Sequence, residues 1–172
     1  MSLNRVRTPC IGVCSTTFGD TVCRGCKRFL HEIVDWNRYS EAQKMLVWQR
    51  LDLLLCTVVG NYLEVVDATR LAEQLAFQNI RQQPQLSPAG WVPELLKAAG
   101  PRALLWEDFG LRPVGQDTGL TPRQLYDRIS AEVYALAEAH YDRNHRRPGM
   151  RLSLLLRDLA SEPGTGSDAA GA

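Results

Sequence analysis

Four of the five cysteines lie close together near the start of the chain. They are Cys10, Cys14, Cys23 and Cys26, and their spacing is Cys-x3-Cys-x8-Cys-x2-Cys. A thiolate is a soft, strong ligand, and four of them complete a tetrahedral zinc site or hold an iron–sulfur cluster. The spacing therefore predicts a single metal centre with these four cysteines as its ligands.

The residues around the cysteines fit this interpretation. Gly12 and Gly25 each lie between the two cysteines of a pair, where glycine allows a tight turn that points backbone N–H groups at sulfur. Residues 1–28 contain five basic residues and one acidic residue, a net charge of +4. A nucleic-acid-binding patch is one explanation, but compensation of a negative metal–thiolate centre is the better one.

Two other fates of the four thiols compete with the metal site. Two disulfides would suit a secreted protein, but residues 1–6 lack the apolar segment of a secretory signal. The cytoplasm is therefore the expected location, and its reducing conditions keep cysteine thiols from forming disulfides. Four unrelated buried cysteines would not be expected to pair at these short spacings. The pattern favours the metal site, with disulfides and separate thiols as alternatives.

The residues that flank the cysteines carry a resemblance to a known family. They form the segments Pro9-Cys-Ile-Gly-Val-Cys14, Cys23-Arg-Gly-Cys26-Lys-Arg28, Glu32-Ile33 and Trp36. This pattern, over roughly residues 8–50, resembles the small bacterial family of domain of unknown function 1289. That family is often labelled predicted iron–sulfur protein, so the resemblance implies a cluster on the four cysteines and no established activity. Phe29-Leu30 departs from the family, which more often has a small polar residue there, and this affects no ligand.

Composition sets broad limits on the function. The chain has 172 residues, of which 45% are apolar and 23% charged, as in ordinary globular proteins. A net charge of +1 implies no strong attraction to nucleic acid or to an anionic membrane. The longest apolar run, residues 53–59, is far shorter than the ~20 residues of a membrane span. We therefore expect no membrane association.

Periodicity predicts a mainly α-helical protein. The expected organisation is a four-cysteine metal-binding knuckle module at residues 1–39, docked on a helical body at 40–160, with a disordered tail at 161–172. The body should contain about four or five helices. Ser40 and Gln43 form a predicted capping box at the first of them. The predicted helices cover 29–37, 40–60, 62–80, 87–100 and 121–142, with an irregular stretch at 102–117 and a short apolar stretch at 150–159.

Several single residues also receive an expected role. Trp36 should pack over the cysteine module, and Arg28 and Glu32 are spaced for an i,i+4 ion pair. His31 is expected to be a surface residue rather than a fifth ligand, because four thiols already complete the site. Cys56 lies in an apolar run, and burial there would make it an inert core residue rather than a nucleophile.

No local motif identifies an enzyme. The chain has no glycine-rich phosphate loop, no His-Glu-x-x-His and no nucleophile elbow, so whether it is an enzyme stays open. The sequence favours an iron–sulfur protein with an electron-transfer, sensing or accessory role and a protein partner. The alternative is a zinc-stabilised adaptor for a protein or a nucleic acid. The basic run at 143–147 is the weak hint of nucleic acid, since cations are also common at helix ends.

Overall fold

The computed structural model describes residues 5–115 and 119–146, and within them the protein is mainly helical, as predicted. None of the described helices is both long and apolar enough to cross a bilayer. The apolar stretch at 150–159 and the tail at 161–172 lie outside the described residues. The helices are α1 (Leu30–Val34), α2 (Glu41–Val59), α3 (Ala68–Phe77), α4 (Pro88–Ala99) and α5 (Pro122–Tyr141), and the strands are β1 (Leu63–Val65) and β2 (Leu111–Pro113).

Capping residues define where the two longest helices begin. At α2, the backbone N–H of Gln43 donates to Ser40 Oγ at 3.2 Å, and the Ser40 N–H donates to Gln43 Oε1 at 2.9 Å. Thr121 and Gln124 make the same reciprocal pair at the start of α5. These bonds satisfy N–H groups that have no partner inside the helix. The capping box predicted at Ser40 is confirmed.

The helix predicted over 62–80 is wrong in its first part. Leu63–Val65 forms β1, which pairs antiparallel with β2, so that Leu63 lies opposite Pro113. Two apolar residues flanking a charged one suit a strand with one buried face, and the partner strand comes from the stretch predicted to be irregular. The helix α3 begins only after Asp67, whose carboxylate accepts the Arg70 N–H at 2.9 Å.

The segment that carries the four clustered cysteines, residues 8–36, is called the cysteine segment, and it packs on the helical body at two places. Val22 and Phe29, which flank the second cysteine pair, are buried in the main core beside residues of α2, α4 and α5. Trp36 lies in a second, smaller cluster with residues of α2, namely Val47, Trp48 and Leu51. The segment that carries the cysteines is thereby held against α2.

Candidate metal centre

The four predicted ligands differ in exposure. Cys23 is buried, Cys14 and Cys26 are half-buried, Cys10 is exposed, and none of them forms a disulfide. The structure places Cys23 and Cys26 in one turn, where each thiol influences the pKa of the other. Over residues 5–115 and 119–146, no three His, Cys, Asp or Glu side chains are arranged to hold a metal ion. The centre with all four cysteines therefore stays a prediction.

The second cysteine pair lies in a tight turn. The Lys27 N–H donates to the Cys23 carbonyl at 2.9 Å, and the Cys23 N–H donates to the Arg28 carbonyl at 2.9 Å. Lys27 closes this turn with a left-handed φ of 60°, which is uncommon for a residue other than glycine. An isolated antiparallel bridge joins Val22 and Phe29, which lie on either side of the turn. Both residues are buried in the core and anchor the two ends of the turn.

The first cysteine segment (residues 10–15) and the second (residues 23–26) touch at Gly25. A Cβ atom at this position would lie 2.9 Å from the Val13 carbonyl oxygen and 3.0 Å from Ile11 Cδ1. Such separations are too short for a carbon side chain, so the contact requires glycine. Gly12, in the first pair, has a left-handed φ of 92°. Gly12 adopts the positive φ expected of it, and Gly25 permits a close approach of the two segments.

Backbone amides surround the Cys23 sulfur. Burial by itself raises the pKa of the Cys23 thiol, but hydrogen bonds from the backbone of Cys26, Ser15 and Gly25 and from the Cys26 side chain lower that pKa to about 7. These donors favour the thiolate, which is the form that binds metal. Ser15 belongs to the first cysteine segment and Gly25 to the second, so both segments contribute donors to one sulfur.

Arg28 is buried beside the other cysteine of this turn. Arg28 is only 3% exposed, and its Nε donates to Cys26 Sγ at 3.4 Å. The guanidinium also lies over the Trp36 ring, 4.9 Å from the centroid. Burial raises the pKa of the Cys26 thiol, and Arg28 opposes that rise. Trp36 thus reaches the cysteine turn through the Arg28 side chain.

Lys27 is a second cation packed on the same turn. Its Nζ donates to the carbonyls of Arg24 and Gly25 and, at 3.2 Å, to Ser130 Oγ on α5. Burial lowers the pKa of Lys27, and the sulfurs of Cys23 and Cys26 counteract this. Within the described residues, neither Lys27 nor Arg28 has a carboxylate within ion-pair distance.

The ion pair predicted between Arg28 and Glu32 is not formed. Glu32 instead accepts from Arg50 of α2, at 3.1 Å from Nε to Oε1 and 2.6 Å from Nη2 to Oε2. Its Oε2 also accepts the Phe29 N–H at 2.8 Å, which caps α1. Both carboxylate oxygens are thus engaged elsewhere. The sequence carried no signal for Arg50, because an ion pair between separate elements has no fixed spacing.

His31 and Cys56 lie outside the cysteine turn. His31 is half-buried rather than a plain surface residue, with its ring centroid 4.7 Å from that of His145, and burial lowers its pKa. Cys56 is half-buried too, but its neighbours are polar: Ser87 Oγ at 2.9 Å and Asp52 Oδ1 at 3.4 Å. Burial raises the pKa of the Cys56 thiol, which fits an inert residue, whereas the predicted apolar surroundings are wrong.

The comparison with known families concerns the same part of the chain. Residues 8–54 match the family described as "Protein of unknown function (DUF1289)". The matched segment contains all four clustered cysteines, Arg28, and both members of the Glu32–Arg50 pair. Curated proteins and solved structures give no match. The helical fold, the cysteine donor set and the family match together fit a metal-binding protein.

Proposed function

We propose that this protein holds one iron–sulfur cluster on Cys10, Cys14, Cys23 and Cys26. The observation that carries the proposal is the pair of cations on the Cys23–Cys26 turn, the buried Arg28 and the half-buried Lys27. Burying a cation costs several kcal/mol unless an anion compensates for it. A thiolate-ligated metal centre carries that negative charge, whereas neutral thiols do not.

The donor set fits such a centre. Cys26 and Cys23 already share one turn, and backbone N–H groups favour the thiolate of Cys23. Gly25 keeps the first cysteine segment in contact with this turn, so the chain between Cys10 and Cys14 lies beside the Cys23–Cys26 pair. N–H groups directed at cluster sulfurs are a common means of stabilising and tuning them.

A bound cluster would supply one-electron chemistry, which suits an electron-transfer, sensing or accessory role in the cytoplasm. Such roles require a protein partner. Three apolar side chains of the cysteine segment are exposed and offer a surface for one: Ile11 at 60%, Val13 at 72% and Phe18 at 91%. Exposed apolar side chains close to a site are a common feature of interaction surfaces.

A zinc-stabilised adaptor is the second candidate function. Four thiolates close the coordination shell of zinc and leave no position for a substrate, so such a site stabilises the fold rather than catalysing a reaction. Zinc with four thiolates would satisfy Arg28 and Lys27 equally well, because the centre is also negative. The family resemblance favours iron–sulfur. In the zinc-stabilised adaptor, the helices would serve as the partner-binding surface.

Anaerobic purification from iron-replete cells tests the proposal. We expect a brown protein with iron and acid-labile sulfide, and we expect Cys23→Ser to lose both while Cys56→Ser keeps them. A colourless protein with one zinc per chain and no labile sulfide would end the iron–sulfur proposal and leave the adaptor. Full metal retention in Cys23→Ser, or complete loss in Cys56→Ser, would contradict the ligand assignment itself.

A further inference from the structure

A pocket lies where the cysteine segment meets α2, α4 and α5. Its cavity volume is about 170 Å³ and it is open to solvent. Gly25 and Cys26 line one side, and residues of the three helices line the others. This volume is below the ~300–1,000 Å³ range of typical ligand sites, so only a small molecule fits. The pocket differs from the metal centre because most of its wall comes from the helical body.

The pocket wall is mainly apolar. Leu51 of α2 and Ile129 and Val133 of α5 are buried side chains that form part of it, and Trp48 and Leu55 extend the apolar surface along α2. An apolar molecule that enters this space would release water from both contacting surfaces. The removal of apolar surface from water is the main favourable term in binding. The body of a suitable ligand is therefore apolar.

Charged groups of the pocket are poorly placed to bind an ion. The three N–H bonds of the Lys27 ammonium are directed to three protein oxygens, those of Arg24, Gly25 and Ser130. Lys27 consequently has no N–H to offer a ligand anion. The other charges are Glu94 and Lys97, which are exposed, of opposite sign and three residues apart on α4. An uncharged ligand fits this arrangement.

Two hydroxyl groups on α5 supply hydrogen-bond donors. Ser130 Oγ accepts from Lys27, and its own O–H donates to no residue in the described part of the chain. Tyr126 lies one turn earlier on the same face, and its hydroxyl makes no hydrogen bond among the described residues. Both side chains line the pocket, so a ligand with an acceptor such as a carbonyl oxygen can be oriented by them.

We propose that this pocket binds a small, uncharged, mainly apolar molecule through a carbonyl-type acceptor that faces Tyr126 and Ser130. The site goes beyond the proposed metal-binding function. It depends on the packing of α2, α4 and α5 against the cysteine segment, whichever ion the cysteines hold. Its ligand would lie beside Cys26, next to the proposed centre.

Paired probes test both parts of the proposal on the full chain as purified. 1-Indanone and indane have nearly the same apolar shape, and only 1-indanone has a carbonyl oxygen. We expect saturable shifts of the backbone amides of residues 126–133 with both probes, and about tenfold tighter binding of 1-indanone. Such a ratio corresponds to about 1.4 kcal/mol. The absence of saturable binding, or equal affinity for the two probes, would overturn the proposal.

Matched variants locate the binding. Tyr126→Phe should weaken 1-indanone binding several-fold and leave indane unchanged, whereas Tyr134→Phe, whose hydroxyl donates to Glu138 on the same helix, should change neither. Leu55→Trp should fill the pocket and abolish binding of both probes. Leu53→Trp is its control, because Leu53 is 70% exposed on the same helix. Equal effects within either pair of variants would place the probes elsewhere and overturn the assignment.

Discussion

The burial of Arg28 places a charged side chain directly beside the second cysteine pair. In the sequence it is one of several cations after the second cysteine pair. In the structure it lies between the Trp36 ring and Cys26 Sγ, with no carboxylate at ion-pair distance within the described residues. A guanidinium is always charged, so its compensation has to come from a neighbouring group. The Arg28 Nε donates to the Cys26 sulfur, which would become anionic on binding a metal.

Arg28→Gln should weaken metal binding. Losing a charge-assisted hydrogen bond to a ligand sulfur costs about 1.5–3 kcal/mol, or about a ten- to hundred-fold loss of affinity. A chelator competition at fixed pH measures it. Arg38→Gln is the matched control, because the Arg38 side chain is 85% exposed and pairs with Asp35 at the surface. Equal metal retention in the two variants would show that Arg28 does not compensate the centre.

Gly25→Ala should separate the two cysteine segments. The added Cβ would collide with the Val13 carbonyl oxygen, so the first segment has to move by a few tenths of an ångström or more. Overpacking of this kind costs about 1–3 kcal/mol. We expect reduced metal content and a lower denaturation midpoint in urea. Gly119→Ala should be neutral in both measurements, because no described residue has an atom within 4 Å of its added Cβ.

At the scale of the elements, Glu32 joins two helices. Its carboxylate caps α1 at the Phe29 N–H and pairs with Arg50 of α2. The Arg50 guanidinium also lies over the Phe29 ring, 3.9 Å from the centroid. A short helix of five residues has little stability of its own, so these contacts fix its orientation. The chain leaving the second cysteine pair is thereby locked onto α2.

Glu32→Gln should destabilise the fold by about 3 kcal/mol. The Glu32 side chain is only 8% exposed, so the pair is largely buried. The substitution removes its negative charge and leaves Arg50 without an anion. Glu64→Gln is the control, because the Glu64–Arg112 pair is exposed and should contribute less than about 1 kcal/mol. Urea denaturation measures both. Similar losses would mean that the Glu32–Arg50 pair is no stronger than a surface pair.

For the whole molecule, the cysteine segment and the helical body share a core. Val22 is fully buried and Phe29 nearly so, both among side chains of the body. The Lys27–Ser130 hydrogen bond adds a polar connection from the second cysteine turn to α5. Residues 10–18, in contrast, contribute no buried side chain to this core. We therefore expect the first cysteine pair to depend most on metal for its position.

Metal removal should loosen residues 8–36 while the helical body survives. The segment has few apolar residues of its own, and metal binding usually supplies folding free energy to such modules. Hydrogen exchange before and after chelation measures this, and we expect the largest loss of protection around Cys10 and Cys14. Amides in α2, α4 and α5 serve as internal controls. Uniform loss of protection along the chain would show that the body also needs the metal.

Local chemistry in the sequence was sufficient for the helix starts and for the glycine turns. Ser40 with Gln43 forms a capping box from residues three apart, and Gly12 adopts the left-handed φ that favours glycine. The strand at Leu63–Val65 was missed because its partner is 46 or more residues away along the chain. Short apolar segments suit a helix or a strand equally well until a partner strand satisfies their backbone groups.

The sequence by itself determined the helical class and the main helix starts, and it predicts the four-cysteine donor set, because these depend on residues that are near one another along the chain. Only the tertiary structure decided that Glu32 pairs with Arg50, that Arg28 lies against Cys26 and Trp36, and that a pocket forms beside α5. Burial and pairing between distant elements set the cost of a charge, and spacing along the chain carries no information about either.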